Sequence, residues 1–183
     1  MQKPEPLHVL VVGASGTGKT SLQRFFKKNG KNALDGDICI GMWLNARGDK
    51  VKMPIDMGRN INKWAEDREL SWVCDTGKLK RLLSRNKGRW LYLFGGPLPP
   101  DSFLRFFDRI YYLDADKKLI LKRLKIRLRD ADSYHNYGET KKQREQVLRD
   151  MASQRKRAKE HRFRFIDASL PPQQIFDIMT KQV

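Results

Sequence analysis

Cysteine is scarce: Cys39 and Cys74 are the only two in 183 residues, far apart and in no metal-ligand spacing. That excludes a disulfide scaffold and a zinc ribbon, and it suits reduced thiols in the cytoplasm, the expected location. Long apolar runs are missing too. No stretch approaches the roughly 18 residues of a membrane helix. Residues 1–6 pass straight into a strand-like run, with no secretory leader pattern. Internal repeats and low-complexity segments are also lacking. Acidic residues are the last shortage: 21 Asp and Glu stand against 38 Lys and Arg, giving a formal net charge of +17. Such a field draws polyanions, so nucleotides, phosphorylated metabolites and nucleic acid are all admissible partners. Part of this charge is clustered, in residues 122–129, 141–144 and 155–159.

What is present is a phosphate-binding signature. Gly13-Ala14-Ser15-Gly16-Thr17-Gly18-Lys19-Thr20 satisfies G-x-x-x-x-G-K-[ST] at every fixed position. The preceding run, Leu7-His8-Val9-Leu10-Val11-Val12, reads as a short buried strand. The following one, from Ser21 to Lys28, has helical spacing and stops at Asn29-Gly30. An ordinary glycine-rich turn would not need both flanks. Glycines free the backbone N–H groups to turn toward phosphate oxygens, and a helix N-terminus adds partial positive charge. Gly13, Ser15, Gly16, Thr17, Gly18, Lys19, Thr20 and Ser21 are therefore the expected nucleotide-binding residues. Lys19 suits the β- and γ-phosphates and Thr20 a Mg²⁺ ion.

A second strand is expected over residues 31–34, ending in Asp35-Gly36-Asp37. Ligands bind beyond the carboxyl ends of strands in open α/β sheets, so these carboxylates fall near the phosphate loop. Two positions apart on an extended chain, they would point the same way. One could hold the Mg²⁺ shell and one could accept a proton from a substrate hydroxyl; a polar turn is the plainer alternative. Trp90-Leu91-Tyr92-Leu93-Phe94 is a buried strand closed by Gly95-Gly96, and no acidic residue follows it where many P-loop proteins keep one. That absence directs the metal-side role to Asp35 or Asp37. Residues 41–71 read as a small helical insert that holds substrate. Trp43, Met57 and Trp64 are candidates to line its pocket, or merely its core, and Arg47 or Arg59 to bind an anion.

Asp75 is placed to cap a helix containing Leu79, Leu82 and Leu83, and Asp101 to cap another. Residues 109–113 form the next strand. In the helix after it Arg123 and Arg127 stand four apart on one face, and two planar guanidinium forks suit a transferring phosphoryl group. Residues 129–140 are polar and turn-rich, a candidate lid. A long charged helix, a last strand at 162–166 and an amphipathic closing helix complete the chain.

This succession resembles the small P-loop kinases of the nucleoside monophosphate kinase and shikimate kinase group. The second half, with Phe107-Asp108-Arg109-Ile110-Tyr111-Tyr112-Leu113-Asp114, Asn136-Tyr137-Gly138 and Ile166-Asp167-Ala168-Ser169, is similar to bacterial nucleoside-kinase-like proteins also labelled AAA-family ATPases. The resemblance implies a three-layer α/β fold over residues 1–183, a single domain with a five-stranded parallel sheet flanked by helices, the insert and the lid. It implies lid arginines at Arg123 and Arg127, and an adenine-packing loop at Ser169 to Pro171. It also implies an Asp-x-Asp pair, with Asp35 on the metal side and Asp37 toward the acceptor hydroxyl. The Asp-Gly-x-Pro signature of nucleoside monophosphate kinases is missing after Phe94.

The expected activity is transfer of the γ-phosphoryl group of ATP, with Mg²⁺, to a small acceptor: a nucleoside, nucleotide or hydroxylated metabolite. Lys19, Asp37, Arg123 and Arg127 would be catalytic, in a monomer or homodimer. The rival reading is a nucleic-acid-associated P-loop protein, a polynucleotide 5′-kinase or an RNA-binding ATPase, suggested by the charge. It lacks an RNA-recognition motif and has few aromatics among its basic runs. A GTP switch is disfavoured, because Asn86-Lys87-Gly88-Arg89 fails the guanine-reading pattern at its last position.

Overall fold

In the computed structural model, which describes residues 7–54, 61–96, 98–127, 138 and 140–181, β1 (His8–Val12) lies at the centre of a sheet. Its side chains alternate between two cores. Val9 and Val11 face Leu22 and Phe26 of α1 (Lys19–Lys28), with Ile175 and Met179 of α8 (Pro172–Lys181). Leu10 and Val12 face Leu79 and Leu83 of α4 (Thr76–Arg85) and Leu104 of α5 (Asp101–Leu104). Both faces are covered, which is why β1 and β6 (Leu91–Phe94) are nearly unbroken apolar runs.

The remaining strands of this sheet are β2 (Ala33–Asp35), β7 (Arg109–Asp114) and β8 (Arg164–Asp167). The order is β2-β6-β1-β7-β8, all parallel, so the expected three-layer architecture with a five-stranded sheet stands. Register places Asp35 opposite Phe94 and Val11 opposite Phe94, so β1, β2 and β6 end on one edge. Phe26, fully buried, packs at 5.0 Å from Tyr92, 5.1 Å from Phe94 and 4.8 Å from Phe176. This aromatic knot ties α1, and the loop before it, to the sheet.

After β2 come α2 (Gly36–Ile40) and the insert, which departs from expectation. It is not a helical unit. β3 (Gly41–Leu44), β4 (Lys50–Val51) and β5 (Ser71–Cys74) form an antiparallel sheet in the order β4-β3-β5, and α3 (Ile61–Glu66) is the one helix described there. The physical reason is the turn at 45–49. Asn45 Oδ1 accepts from the N–H groups of Arg47 and Asp49, and Gly48 adopts φ +83, so the chain reverses where a helix would continue. Tryptophan and valine then favour pleated pairing, with Trp43 opposite Trp72 and also opposite Val51. Arg47, offered as an anion ligand, is exposed in that turn, while Trp64 is buried in the insert's core. Met57 and Arg59 lie outside the described residues.

Helices α6 (Lys117–Arg127) and α7 (Lys141–Glu160) finish the frame. Ile120 and Leu124 pin α6 to the first core. Thr140 and Gln143 form a capping box at the start of α7. Of the expected lid at 129–140, only Gly138 and Thr140 are among the described residues. Asp101 does not cap α5: Pro100 is the N-cap, and the Asp101 carboxylate instead pairs with Arg157 and, at 3.3 Å, with His161.

Candidate active site

The phosphate loop joins β1 to α1 in the conformation its glycines permit. Gly16 (φ +88) and Gly18 (φ +96) are left-handed, and Gly18 is the N-cap of α1 without a side-chain cap, so the first N–H groups of the helix stay directed at the loop. Thr17 is 3% exposed and its hydroxyl donates to the Ala14 carbonyl oxygen at 2.9 Å. Its side chain therefore shapes the loop, and its backbone N–H donates to the same Ala14 carbonyl oxygen at 3.3 Å. Lys19 Nζ donates to the carbonyl oxygens of Gly13 (2.6 Å) and Ala14 (2.9 Å), stretched along the loop. Ser15 is half-buried, and Thr20 and Ser21 are exposed on the first turn of α1.

Across from Lys19 stands Asp37, brought there by glycines. A Cβ on Gly36 would stand 2.3 Å from the Gly95 carbonyl oxygen, and one on Gly96 2.8 Å from the Gly36 carbonyl carbon. Gly95 and Gly96 thus let the start of α2 and the end of β6 touch. A Cβ on Gly95 would also stand 3.2 Å from Lys19 Cε and 3.6 Å from Asp37 Oδ2, so those two side chains flank one point. Asp35 and Asp37 do not point alike from an extended strand. Asp35 is the N-cap of α2, its Oδ1 accepting from Asp37 N–H at 2.9 Å, and Asp37 sits in the first helical turn. Asp-Gly-Asp starts a helix here, because a capping acceptor with two small or acidic followers favours one. The Asp37 carboxylate in turn accepts at Oδ1 a 2.9 Å hydrogen bond from Trp72 Nε1.

Thr20, Asp35 and Asp37 all border the same open cleft. No group of three or more His, Cys, Asp or Glu side chains capable of holding a metal occurs among the described residues. One hydroxyl and one or two carboxylates is nevertheless the donor set Mg²⁺ takes from a protein when phosphates and water complete its octahedron. The residues fit that ion and not a soft metal. Cys39 and Cys74 border the cleft too, but burial pushes Cys74 up to about 11, and burial and the Asp35 carboxylate raise Cys39. Neither is a thiolate nucleophile at neutral pH.

Arg123 departs from expectation. Its Nη1 donates to the Thr17 carbonyl oxygen at 3.0 Å and its Nη2 to that of Ala168 at 2.9 Å. The guanidinium thus laces α6 to the phosphate loop and to the loop after β8. There, Asp167 Oδ1 accepts from Ser169 N–H at 2.8 Å, which with a Ser169 side-chain bond and nearby Arg123 holds the Asp167 carboxyl below its ordinary range. Ser169 and Pro171 are exposed just beyond, beside the phosphate loop's buttress. Sequence reasoning missed this bracing role because spacing shows which face a side chain shares and not what lies opposite. Arg127 ends α6, and its side chain lies outside the described residues.

Solved structures share this fold over nearly the whole chain. A shikimate kinase from Acinetobacter baumannii in complex with shikimate matches with a TM-score of 0.56 at 20% identity, covering 97% of this chain and 94% of that one. A gluconokinase from Sinorhizobium meliloti 1021 matches at 0.53 and 17%, covering 94% and 89%. A deoxyadenosine kinase from M. mycoides matches at 0.50 and 14%, covering 96% and 98%. The chain has the fold of the small P-loop kinases. No family model and no curated protein sequence matches it. Within the kinase fold, the phosphate loop, the Asp35–Asp37 turn and the insert surround one cleft, and no described helix is long and apolar enough to cross a membrane.

Proposed function

We propose that this protein is a phosphotransferase that moves the γ-phosphoryl group of ATP to a hydroxyl of a small acceptor. The observation that carries the reading is that Lys19 of the phosphate loop and the Asp37 carboxylate both reach the space beside Gly95, where a Cβ would stand 3.2 Å from Lys19 Cε and 3.6 Å from Asp37 Oδ2. Backbone N–H groups of residues 16–20 and Lys19 would bind the phosphates, in the manner of other P-loop sites. Thr20 and Asp35 would hold Mg²⁺, which supplies neutralisation of charge on the phosphate oxygens. Asp37 would orient the acceptor hydroxyl and take its proton as the new O–P bond forms. The bond from the γ-phosphorus to its bridging oxygen breaks, and ADP leaves with that electron pair. Arg123 would keep the phosphate loop and the loop carrying Ser169 and Pro171 in one frame around the nucleotide. Arg127, four residues on, would close over the phosphates.

The cleft runs past Asp37 to the insert, where Met42, Trp72 and Val73 border it, and the acceptor would sit there. A screen with γ-labelled ATP over nucleosides, nucleotides, sugars, hydroxy acids and short RNAs tests the reading. Label should move to one acceptor class in wild type and not in Lys19→Ala. Transfer to none, or equal transfer by both proteins, would refute it.

A further inference from the structure

The Asp37 carboxylate is gripped by the insert, not only by the sheet edge from which it grows. Trp72, in the middle of β5, donates its indole N–H to Asp37 Oδ1. It can do so because Gly41 has no side chain: a Cβ there would stand 1.9 Å from Trp72 Cζ2 and 2.5 Å from its Cη2. Gly41 does not need a left-handed backbone, its φ being −77, so the space it leaves for the indole is its distinctive contribution.

The ring is also packed from one further side. Trp43 packs on it at 4.7 Å with planes at 50°, across the register pair Trp43–Trp72. Trp43 in turn meets Trp64 edge-on at 6.0 Å. The strand root is tied to α4 by Lys78 Nζ, which donates to the Gly41 carbonyl oxygen at 3.0 Å, and to α2 by Asp75 N–H, which donates to Ile40 at 2.7 Å. With Oδ1 engaged by the indole, Oδ2 is the oxygen near the Gly95–Lys19 point.

We propose that Trp72 is a positioning residue for phosphotransfer. Its indole N–H holds the Asp37 carboxylate in one rotamer, with Oδ2 toward the acceptor hydroxyl whose proton it takes. This rests on the phosphotransfer reading above. Because Trp72 also borders the cleft, an acceptor bound against the insert touches the group that sets the carboxylate.

The test uses the full chain with ¹⁵N-labelled tryptophan, Trp72→Phe, Gly41→Ala and Asp37→Asn. The Trp72 indole N–H resonance should move on Asp37→Asn, which replaces the carboxylate that it bonds. Trp72→Phe, which keeps a ring for packing, should lower kcat about tenfold or more, the loss expected for one hydrogen bond to a charged group. KM for ATP should stay within about twofold. Gly41→Ala, which displaces the indole, should reproduce that fall in kcat with KM for ATP again little changed. An indole resonance indifferent to Asp37→Asn, or a Trp72→Phe enzyme with unchanged kcat, overturns the proposal. A wild-type protein that transfers no phosphoryl group removes the reaction itself, and Trp72's role with it, even where the indole resonance still reports the bond.

Discussion

Gly36 and Gly95 meet backbone to backbone, so close that a methyl group on Gly36 would fall 2.7 Å from the Gly95 carbonyl carbon. That contact sets the span between Lys19 on the phosphate loop and Asp37 on α2. Gly36→Ala is expected to destabilise the fold by about 1–3 kcal/mol, the ordinary cost of overpacking. Phosphotransfer should fall with it, since one side of the site must move. Gly30→Ala is the comparison: its φ is +74 but nothing stands within 4 Å, so only local strain of roughly 1–2 kcal/mol applies and activity should persist. Urea unfolding and initial rates on both variants check the pair. An active, fully stable Gly36→Ala would deny the contact its role.

Arg123 is expected to matter for stability and nucleotide affinity rather than for the chemical step. Arg123→Ala removes two hydrogen bonds from a charged donor to the Thr17 and Ala168 carbonyl oxygens. Bonds of that type contribute about 1.5–3 kcal/mol each, so a loss of a few kcal/mol in denaturant unfolding and weaker ATP binding should appear together. A variant with unchanged stability and affinity but depressed kcat would restore the phosphate-contacting role that helical spacing suggests.

Asp75 provides a pH test. Lys78 N–H, donating at 3.0 Å, and the Lys50 ammonium, also at 3.0 Å, hold its carboxyl below the ordinary range despite burial. A carboxyl lowered by folding stabilises the fold above its unfolded value, about 3.9. That contribution is lost as pH falls through the folded one. Wild-type stability should therefore decline below about pH 4, and Asp75→Asn should show a shallower decline. Asp75→Ala should cost about 1 kcal/mol at neutral pH as a lost helix cap. Thermal melts from pH 2 to 7 on the three proteins give the comparison. Parallel curves for wild type and Asp75→Asn would contradict the assignment.

The parallel sheet was legible because its strands are short apolar runs stopped by glycine or aspartate, as in Leu91 to Phe94 before Gly95. The phosphate loop was legible because its fixed positions each meet a backbone or phosphate requirement. The insert was not. Gly41 to Leu44 has the same few apolar residues whether it forms a helix or a strand, and the Asn45-centred turn decides between them. The Asp35–Asp37 pair was found by its place at a strand end, but its geometry depends on a capping bond that spacing does not reveal. Trp72 carried no sequence signal as a partner of Asp37, because the two are 35 residues apart and joined only through the small sheet. Asp101 has a capping residue's sequence position, yet Arg157 on a distant helix takes its carboxylate.

The central claim is that backbone amides at the start of α1, with Lys19, grip the tail of a nucleoside triphosphate. Titration calorimetry of ATP into the purified chain with Mg²⁺ tests it most directly. One site per chain should saturate, and Lys19→Ala should weaken binding at least tenfold, the loss of one charged hydrogen-bond donor. No heat of association with either ATP or GTP, at concentrations where the protein remains folded, would contradict it.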